Sequence, residues 1–354
     1  MPVNRAKFHF DNTYAGMDML YGPYVLYQIG DLSCEAGYQT FEHEQAVYEI
    51  TYVLSGTGAF YVDDMVYTMQ KGDLLLVRKG QMHNIISAEI EPLRFFYLGF
   101  DFVELSIDET DERLSRIYAG DEEIYRIQDA AHKAGVFIQS LCLSVHRRFP
   151  FGSADPATRA KAAEIMEKAL VFADKLGVRV IQLAGYDVYY EPSTDESKKR
   201  YEEAMFWAAS QAARYQIMLG TEIMDIELMN CIRKHLVYEN KIQSPWYKVY
   251  PDVGNISAWG IDPLDDLEAG IHSIVGVHLK DTLCKTADKP GVFKDIPFGE
   301  GCVDFVGCLK KLEDLGYTGP YMIEMWHKNG QDDRANVRAA KAFIEEQYRR
   351  AMEV

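Results

Sequence analysis

The most constraining feature of this sequence is a change of rhythm near residue 100. Beyond that point, apolar strand-like segments alternate with helical segments, which is the pattern of a parallel sheet covered by helices. About 250 residues of such alternation favour a (β/α) barrel, which has eight strands when closed. The sequence contains seven candidate strands, at 103–107, 137–143, 178–184, 217–223, 246–250, 274–279 and 321–325. The predicted α/β barrel is therefore one strand short of closure.

The first hundred residues have a different pattern, in which short apolar strands are separated by turn residues. Strand-like segments occur at 48–54, 59–62, 65–69 and 74–77. Short, evenly spaced strands of this kind predict a small antiparallel barrel or sandwich. No spacer rich in proline, glycine or serine separates the two patterns. We therefore expect two consecutive domains, an all-β domain at 1–97 and a barrel domain at 98–354.

Charge and hydropathy exclude several classes of protein. Lys and Arg total 37 against 54 Asp and Glu, and the formal net charge is −17 at pH 7. Because there is no basic tract either, the composition argues against nucleic-acid binding. No apolar run approaches the roughly 20 residues of a membrane helix, and the first residues lack the apolar core of a signal peptide. We expect a cytoplasmic protein with no nucleic-acid or membrane partner.

The cysteines give a prediction about redox state. There are six of them: Cys34, Cys142, Cys231, Cys284, Cys302 and Cys308. They form no C-x-x-C pair and no block with histidines. Either of these arrangements would be expected of a soft-metal or redox motif. The sequence therefore predicts reduced, mostly buried thiols in a reducing compartment.

Polar side chains that could do chemistry follow the predicted barrel strands, where the catalytic groups of barrels lie. One stands at each of the last four strands: Glu222, Asp252, His278 and Glu324. Taken singly, such a carboxylate is more often the N-cap of the next helix, and a lone histidine more often a structural residue. Together they offer hard oxygens and one imidazole, a donor set that suits Zn²⁺, Mn²⁺, Mg²⁺ or Co²⁺. Because buried carboxylates are costly without a cation, the pattern favours one divalent metal ion.

From about residue 98 to residue 345 the chain resembles the L-ribulose-5-phosphate 3-epimerases, also called L-xylulose-5-phosphate 3-epimerases. These enzymes belong to the xylose isomerase-like barrel superfamily. The matching segments are 98–116 (LGFDFVELSIDETDERLSR), 143–150 (LSVHRRFP), 180–190 (VIQLAGYDVYY), 222–225 (EIMD), 250–255 (YPDVGN), 277–281 (VHLKD), 297–301 (PFGEG) and 322–326 (MIEMW). The resemblance implies a xylose isomerase-like TIM barrel that lacks its first β-α unit, because the match begins at the family's second strand. It also implies that the four residues at the last strand ends are the metal ligands.

The chemistry implied by this resemblance is inversion at C3 of a ketopentose 5-phosphate, L-ribulose 5-phosphate or L-xylulose 5-phosphate. A divalent ion polarises the C2 carbonyl, which makes the C3 proton removable and stabilises an enediolate. Inversion also needs proton-handling groups on both faces of this planar species. Glu222 and Glu324 are expected to be that acid/base pair, while Asp252 and His278 complete the coordination.

Other residues are candidates for contacts with the sugar phosphate. Five lie in or near the matching segments: His146, Arg147, Lys280, Asn255 and Glu104. Structural alternatives exist, since Arg147 could belong to a solvated loop and Lys280 to a surface ion pair. The sequence leaves these alternatives open.

Residues 10–97 resemble the N-terminal cupin sensor of AraC-type transcription regulators. The matching segments are 22–30 (GPYVLYQIG), 48–56 (YEITYVLSG), 71–73 (KGD) and 82–83 (MH), together with His43. The resemblance implies an all-β cupin that binds a small effector. The DNA-binding helices that follow in those regulators do not occur in this sequence. Metal-binding cupins carry several histidines and a glutamate, whereas only His43 and His83 stand out, so we expect no metal in this half.

Three other functions remain open at this point. An aldose–ketose isomerase or a free-ketose epimerase could use the same barrel, and a non-enzymatic sugar sensor could combine the cupin with an incomplete, inactive barrel. An open barrel exposes strand edges beside the gap, but we expect the four ligand residues to lie far from it. Barrels of this superfamily often pair, which suggests a homodimer.

Overall fold

The computed structural model describes residues 28–45, 48–78, 81–100, 102–133, 137–326 and 332–353. The start of the predicted cupin, residues 10–27, lies outside these ranges. The chain forms two compact units. The first takes in residues up to 103 together with 125–138, and the second takes in 104–124 and the residues from 139 onward.

The first unit contains two antiparallel sheets with the orders β1-β8-β3-β6 and β2-β7-β4-β5. In β3 the residues alternate between buried and more exposed positions, so that Val53 faces the core while Tyr52 is exposed. The predicted hairpin is present, since β4 pairs with β5 and Asp63 turns the chain with a φ of 49°. The strands are β1 (Gln28–Ser33), β2 (His43–Glu44), β3 (Tyr48–Ser55), β4 (Thr57–Val62), β5 (Met65–Gln70), β6 (Leu74–Val77), β7 (Met82–Ser87) and β8 (Arg94–Phe100).

The strands of the second unit match all seven predicted barrel strands to within a few residues. Five of them form one sheet in the order β9-β10-β11-β12-β13. Parallel bridges from Val249 to Ile274 and from Asp252 to His278 continue the sheet to β14, which pairs in parallel with β17. The strands are β9 (Phe102–Ile107), β10 (Phe137–Leu143), β11 (Val180–Ala184), β12 (Met218–Glu222), β13 (Tyr247–Tyr250), β14 (Val277–Leu279), β15 (Asp281–Leu283), β16 (Val292–Ile296) and β17 (Tyr321–Ile323).

Helices with clear sequence caps connect these strands. Asp155 accepts the amides of Ala157 and Thr158 at the start of α3, and Gly177 ends that helix in the left-handed region with a φ of 78°. Both features are local signals that sequence alone predicts. No helix in the described ranges is long and apolar enough to cross a membrane. The helices are α1 (Asp111–Ser115), α2 (Asp121–Lys133), α3 (Pro156–Leu176), α4 (Asp195–Tyr215), α5 (Ile232–Ile242), α6 (Val253–Ala258), α7 (Pro263–Gly270), α8 (Phe305–Asp314) and α9 (Asp333–Met352).

The parallel strands of the second unit include two edge strands, β9 and β17, in the part of the chain that the structure describes. Within the described residues, β9 pairs only with β10, and β17 pairs only with β14. The expectation that all four ligand residues lie far from the gap is therefore wrong for Glu324, which directly follows the edge strand β17. The sequence argument failed because it counted distance along the chain, whereas the last strand of a barrel is the neighbour of the first.

A hairpin and a disulfide after β14 also depart from the sequence expectation. β15 and β16 pair as an antiparallel hairpin, with a register shift between Asp281 and Leu283. Cys284 and Cys302 form a disulfide whose Cα atoms are 6.0 Å apart. The prediction of six reduced thiols is wrong for this pair, because the hairpin brings together two cysteines that are 18 residues apart. The free cysteines are Cys34, Cys142, Cys231 and Cys308.

Candidate metal centre

Four side chains from successive parallel strands meet at one end of the barrel sheet. Glu222 is the last residue of β12, Asp252 follows β13, His278 lies within β14 and Glu324 follows β17. Each offers one ligand atom, and these atoms all lie within 4.8 Å of one another. The first three are 0–3% exposed and Glu324 is half-buried. The structure thus brings together the four residues that the strand pattern predicts as a metal site.

The register of the sheet explains why these side chains converge. Glu222 is level with Tyr250 in the parallel pairing of β12 with β13. Asp252 is level with His278 through a parallel bridge. Because parallel strands end at a common edge, residues at these ends are neighbours in space even when they are far apart in sequence.

Asp252 combines the capping role and the cluster role that the sequence left as alternatives. Its Oδ1 accepts the amide of Asn255 at 2.9 Å, which makes it the N-cap of α6. Its Oδ2 lies 2.8 Å from the Lys280 ammonium. Asn255 in turn donates its side-chain amide to the carbonyl of Ile223 at 2.8 Å. The first turn of α6 therefore fixes the aspartate with one oxygen directed into the cluster.

Lys280 lies between two of the carboxylates. Its Nζ is 2.8 Å from Asp252 Oδ2 and 2.9 Å from Glu324 Oε2, and it lies over the Trp326 ring. Burial, reinforced by repulsion from Glu324 and Glu222, raises the pKa of Asp252 to about 7 against the attraction of the ammonium. Burial acts on Glu324 in the same direction, but the charges of Lys280 and His278 outweigh it and lower the pKa to about 2. Lys280 therefore interacts with protein carboxylates, as an ion pair that is buried instead of lying on the surface.

The His278 ring is held between two carboxylates. Its Nδ1 is 3.0 Å from Glu222 Oε1 and 3.9 Å from Glu324 Oε2. Its Nε2 is 3.0 Å from Glu104 Oε1. Burial alone would lower the pKa of His278, but the charges of Glu104 and Glu222 raise it well above its usual value. The two buried carboxylates of Glu222 and Asp252, the half-buried carboxylate of Glu324 and one imidazole form the hard-oxygen and nitrogen donor set of a divalent metal site.

Comparison with known proteins identifies the second unit. The family model described as xylose isomerase-like TIM barrel matches residues 97–347. The chain belongs to this family. A cupin domain model matches residues 27–99, in agreement with the strand-rich first unit. The finer resemblance to AraC-type sensors stays a prediction.

Curated relatives match most of the chain. The chain is 49% identical over 254 residues to the L-ribulose-5-phosphate 3-epimerase UlaE of Escherichia coli O157:H7 (strain EC4115 / EHEC), a match that spans 72% of this chain and 87% of that protein. The UlaE protein of Shigella sonnei (strain Ss046) matches with the same identity and the same shares. The chain is accordingly an enzyme.

Solved structures agree in fold. A structure of an L-ribulose 3-epimerase aligns with a TM-score of 0.56 at 20% identity, covering 72% of this chain and 86% of that one. A D-tagatose 3-epimerase-like protein aligns with a TM-score of 0.59 at 20% identity, covering 72% and 91%. At this identity, the two alignments support the barrel fold only.

The other predicted substrate contacts have different surroundings in this barrel. The Arg147 guanidinium lies 5.5 Å from the centre of the Tyr186 ring and 5.8 Å from that of Tyr189. Although burial works against the charged form, the pKa of Arg147 is raised by Tyr186 and by the charge of Glu222. Arg147 therefore lies within electrostatic range of the cluster, in a partly enclosed aromatic setting instead of a solvated loop.

His146 packs against a helix. Its Nε2 is 3.2 Å from the carbonyl oxygen of Ala162 in α3, and its ring contacts Phe151. The side chain is buried, and this burial lowers its pKa to about 4. These contacts give His146 a structural environment, and its contact with the substrate stays a prediction.

Sequence reasoning missed Gln182. Its side-chain amide donates to Glu222 Oε2, while Oε1 of the same glutamate faces His278. Gln182 is fully buried in β11, whose other residues are apolar. A polar residue within an apolar strand was the signal that could have found it, since buried polar groups need a partner.

A cavity of about 290 Å³ adjoins the cluster. Lys280 and Glu324 line one side, and Trp326, Phe298, Asn336 and Phe343 are among the residues that line the rest. The cluster therefore has open space beside Glu324 into which a small molecule could extend.

The two histidines of the cupin have a different arrangement. The ring centres of His43 and His83 are 4.3 Å apart, and His83 Nε2 is 4.0 Å from Glu49 Oε1. Burial, reinforced by the neighbouring His43, lowers the pKa of His83 to about 4. His83 and Glu49 are buried and His43 is exposed, so the cupin interior contains a buried histidine and a buried glutamate.

Proposed function

We propose that this enzyme inverts C3 of a ketopentose 5-phosphate, interconverting L-ribulose 5-phosphate and L-xylulose 5-phosphate. The observation that carries the proposal is the convergence of Glu222, Asp252, His278 and Glu324 within 4.8 Å. The names of the 49% identical relatives support the choice of substrate. The barrel alone does not, since one fold hosts many activities.

The same four residues are proposed to hold one divalent ion, Zn²⁺, Mn²⁺, Mg²⁺ or Co²⁺. Their donor set fits, because it combines three carboxylates with one imidazole in a mostly buried site. Such an ion would supply Lewis acidity that makes the C3 proton of a 2-ketose removable. Asp252 and His278 would contribute coordination only, with Asp252 fixed by its cap on α6.

Glu222 and Glu324 are proposed to move the C3 proton. They come from the two strands β12 and β17 and approach the His278 Nδ1 at 3.0 Å and 3.9 Å. Each glutamate has a different neighbour, since Gln182 donates to Glu222 and Lys280 donates to Glu324. Inversion requires one group to take the proton and another to return a proton on the opposite face of the enediolate. The origin of the two glutamates on different strands supports this assignment.

Among the five predicted substrate contacts, Arg147 is the one we propose to face the sugar phosphate. Its guanidinium lies near the Tyr186 and Tyr189 rings, and guanidinium groups suit phosphate and hydroxyl oxygens. Lys280 and Asn255 are proposed to act through the carboxylates and the helix start that they contact. We also propose a domain boundary near residue 97, which the family matches at 27–99 and 97–347 support.

The test is a product analysis with the purified full-length chain and Mn²⁺. L-Ribulose 5-phosphate is incubated with the enzyme and followed by NMR, in parallel with unphosphorylated L-ribulose. The proposal predicts L-xylulose 5-phosphate from the first and little or no turnover of the second. An aldose phosphate as product would identify an isomerase, and preference for the free sugar would identify a free-ketose epimerase. Either result would contradict the proposal.

A further inference from the structure

We propose that Glu104 is a positioning residue which holds the proton of His278 on Nε2 and thereby leaves Nδ1 as the atom that faces the metal. The inference rests on the proposed function, because it presupposes that the four-residue cluster binds an ion. It replaces the sequence prediction that Glu104 contacts the substrate.

The contact between Glu104 and His278 is short and buried. Glu104 Oε1 lies 3.0 Å from His278 Nε2, and the side chains are only 7% and 3% exposed. A carboxylate can accept a hydrogen bond from this nitrogen, and with an ion bound at Nδ1 the remaining proton of the neutral imidazole would lie on Nε2, facing Glu104. In a buried pair, losing this bond would leave a polar group without a partner, which is costly.

A second contact fixes the carboxylate itself. The hydroxyl of Ser140 in β10 donates to Glu104 Oε2 at 2.5 Å. Both oxygens of Glu104 are thereby engaged by protein groups. The His278 ring also meets the Tyr250 ring edge-on, with centres 4.8 Å apart, so its plane is constrained from a third direction.

The opposite side of the imidazole faces the cluster. Nδ1 lies 3.0 Å from Glu222 Oε1 and 3.9 Å from Glu324 Oε2, the two carboxylates proposed to share the ion. With Nε2 turned to Glu104, Nδ1 is the nitrogen that can join them. A partner on the other ring nitrogen fixes the tautomer and the ring orientation, and removing such a partner typically weakens metal binding by 10–100-fold.

The position of Glu104 gives this contact a wider consequence. Glu104 lies on β9, an edge strand of the parallel sheet in the described residues, and it is 174 residues from His278 in sequence. Glu104 thus connects that edge to the metal cluster, so that movement of β9 would displace the hydrogen-bond partner of His278.

The first measurement is metal affinity in the full-length chain. Mn²⁺ binding is followed through the EPR signal of the free ion for the wild type, Glu104→Met and Glu104→Gln. Glu104→Met removes the acceptor at similar volume and should weaken binding by about 10–100-fold. Glu104→Gln keeps an acceptor oxygen and should recover most of that loss. The control is Glu112→Gln, an exposed acid in α1, which should bind Mn²⁺ like the wild type.

The second measurement determines which nitrogen of the His278 ring carries the proton. In the Zn²⁺-loaded wild type with ¹⁵N-labelled histidine, NMR should place the proton of His278 on Nε2, with Nδ1 bound to the ion. The resonance is assigned by its loss in His278→Asn. Folded Glu104→Met that binds Mn²⁺ within threefold of the wild type would overturn the proposal.

Failure of the proposed function and failure of the proposed role of Glu104 give different results. A wild type that holds no Mn²⁺ overturns the metal site and the proposed function with it. A wild type that binds metal through Nε2, with the proton on Nδ1, overturns the role of Glu104 alone. Because this spectrum uses the native chain, it decides the question even if Glu104→Met does not fold.

Discussion

Glu222 and Glu324 approach one imidazole nitrogen from strands β12 and β17, and their neighbours give them unlike electrostatic settings. Gln182 is a neutral donor to Glu222, whereas Lys280 places a positive charge 2.9 Å from Glu324. An ammonium stabilises a carboxylate charge more strongly than a neutral amide does. The two carboxylates that are proposed to transfer protons therefore have different neighbours.

Replacing either glutamate by glutamine should remove turnover more than substrate binding. For Glu222→Gln and Glu324→Gln we expect kcat to fall by about 10²–10⁴, the usual contribution of a positioned acid or base. KM should change little when kinetics are measured at saturating metal. The matched control is Glu227→Gln, an exposed glutamate five residues beyond Glu222. A variant that retains more than a tenth of the wild-type kcat would exclude that glutamate as a proton-transfer group.

His146 should make the stability of the barrel depend on pH. Its folded-state pKa of about 4 is below the ordinary value of 6.5, so the unfolded chain takes up a proton first as the pH falls. Stability from this group is intact above pH 6.5 and declines between 6.5 and 4, by about 2 kcal/mol at pH 5. Denaturant unfolding at pH 7.5 and pH 5 should show a smaller acid loss in His146→Gln than in the wild type. Equal losses in the two proteins would contradict the buried, neutral assignment.

At the scale of elements, the segment that follows β14 is held by a compact set of polar contacts. The Asp281 carboxylate accepts the amides of Thr282, Gly299 and Gly301, at 2.8–2.9 Å. Gly301 is required there, because a Cβ atom on it would come within 1.9 Å of Asp281 Oδ1. The Cys284–Cys302 disulfide closes the same segment, which forms one wall of the cavity beside Lys280.

Reduction of this disulfide should destabilise the second unit. A crosslink across 18 residues is worth about 3 kcal/mol in the unfolded-state entropy account. Oxidised wild type should therefore unfold at a higher temperature than reduced wild type, whereas a Cys284→Ser/Cys302→Ser double variant should be insensitive to reductant. Denatured, unreduced wild type should titrate four thiols. Six thiols and no response to reductant would show that the bond does not form.

The elements also show what sequence can and cannot predict. The seven barrel strands were predictable because each is a short apolar run between helix caps such as Asp155 and Gly177. The hairpin of β15 and β16 was not, since residues 282–289 contain polar turn formers and lack strand alternation. The ligand cluster was predictable because strand ends share one edge, but the contact between Glu104 and His278 spans 174 residues and has no local signal.

At the scale of the molecule, the chain combines a cupin-type unit with a barrel that has two strand edges in the described residues. The proposed site touches both edge strands, through Glu104 on β9 and Glu324 after β17. Unpaired strand edges are points of weakness in a sheet. A metal ion shared across the cluster would therefore stabilise the second unit where its sheet is least complete.

Chelation should accordingly affect only one unit. A ligand bound to the native state at 100 times its Kd adds about 2.7 kcal/mol of stability. In calorimetry with Mn²⁺, adding a chelator should lower the transition of the barrel unit by several degrees and leave the cupin transition in place. A chelator that moves neither transition, or both equally, would contradict a site confined to the barrel.

The measurement that tests the account most directly is exchange at C3 in heavy water. The full-length chain with Mn²⁺ is incubated with L-ribulose 5-phosphate in D₂O, and both recovered substrate and product are examined by NMR. The account predicts deuterium at C3 of L-xylulose 5-phosphate, loss of this label when a chelator is present, and its return when Mn²⁺ is restored. Epimerised product that keeps its original hydrogen at C3, or labelling that is unaffected by the chelator, would contradict it.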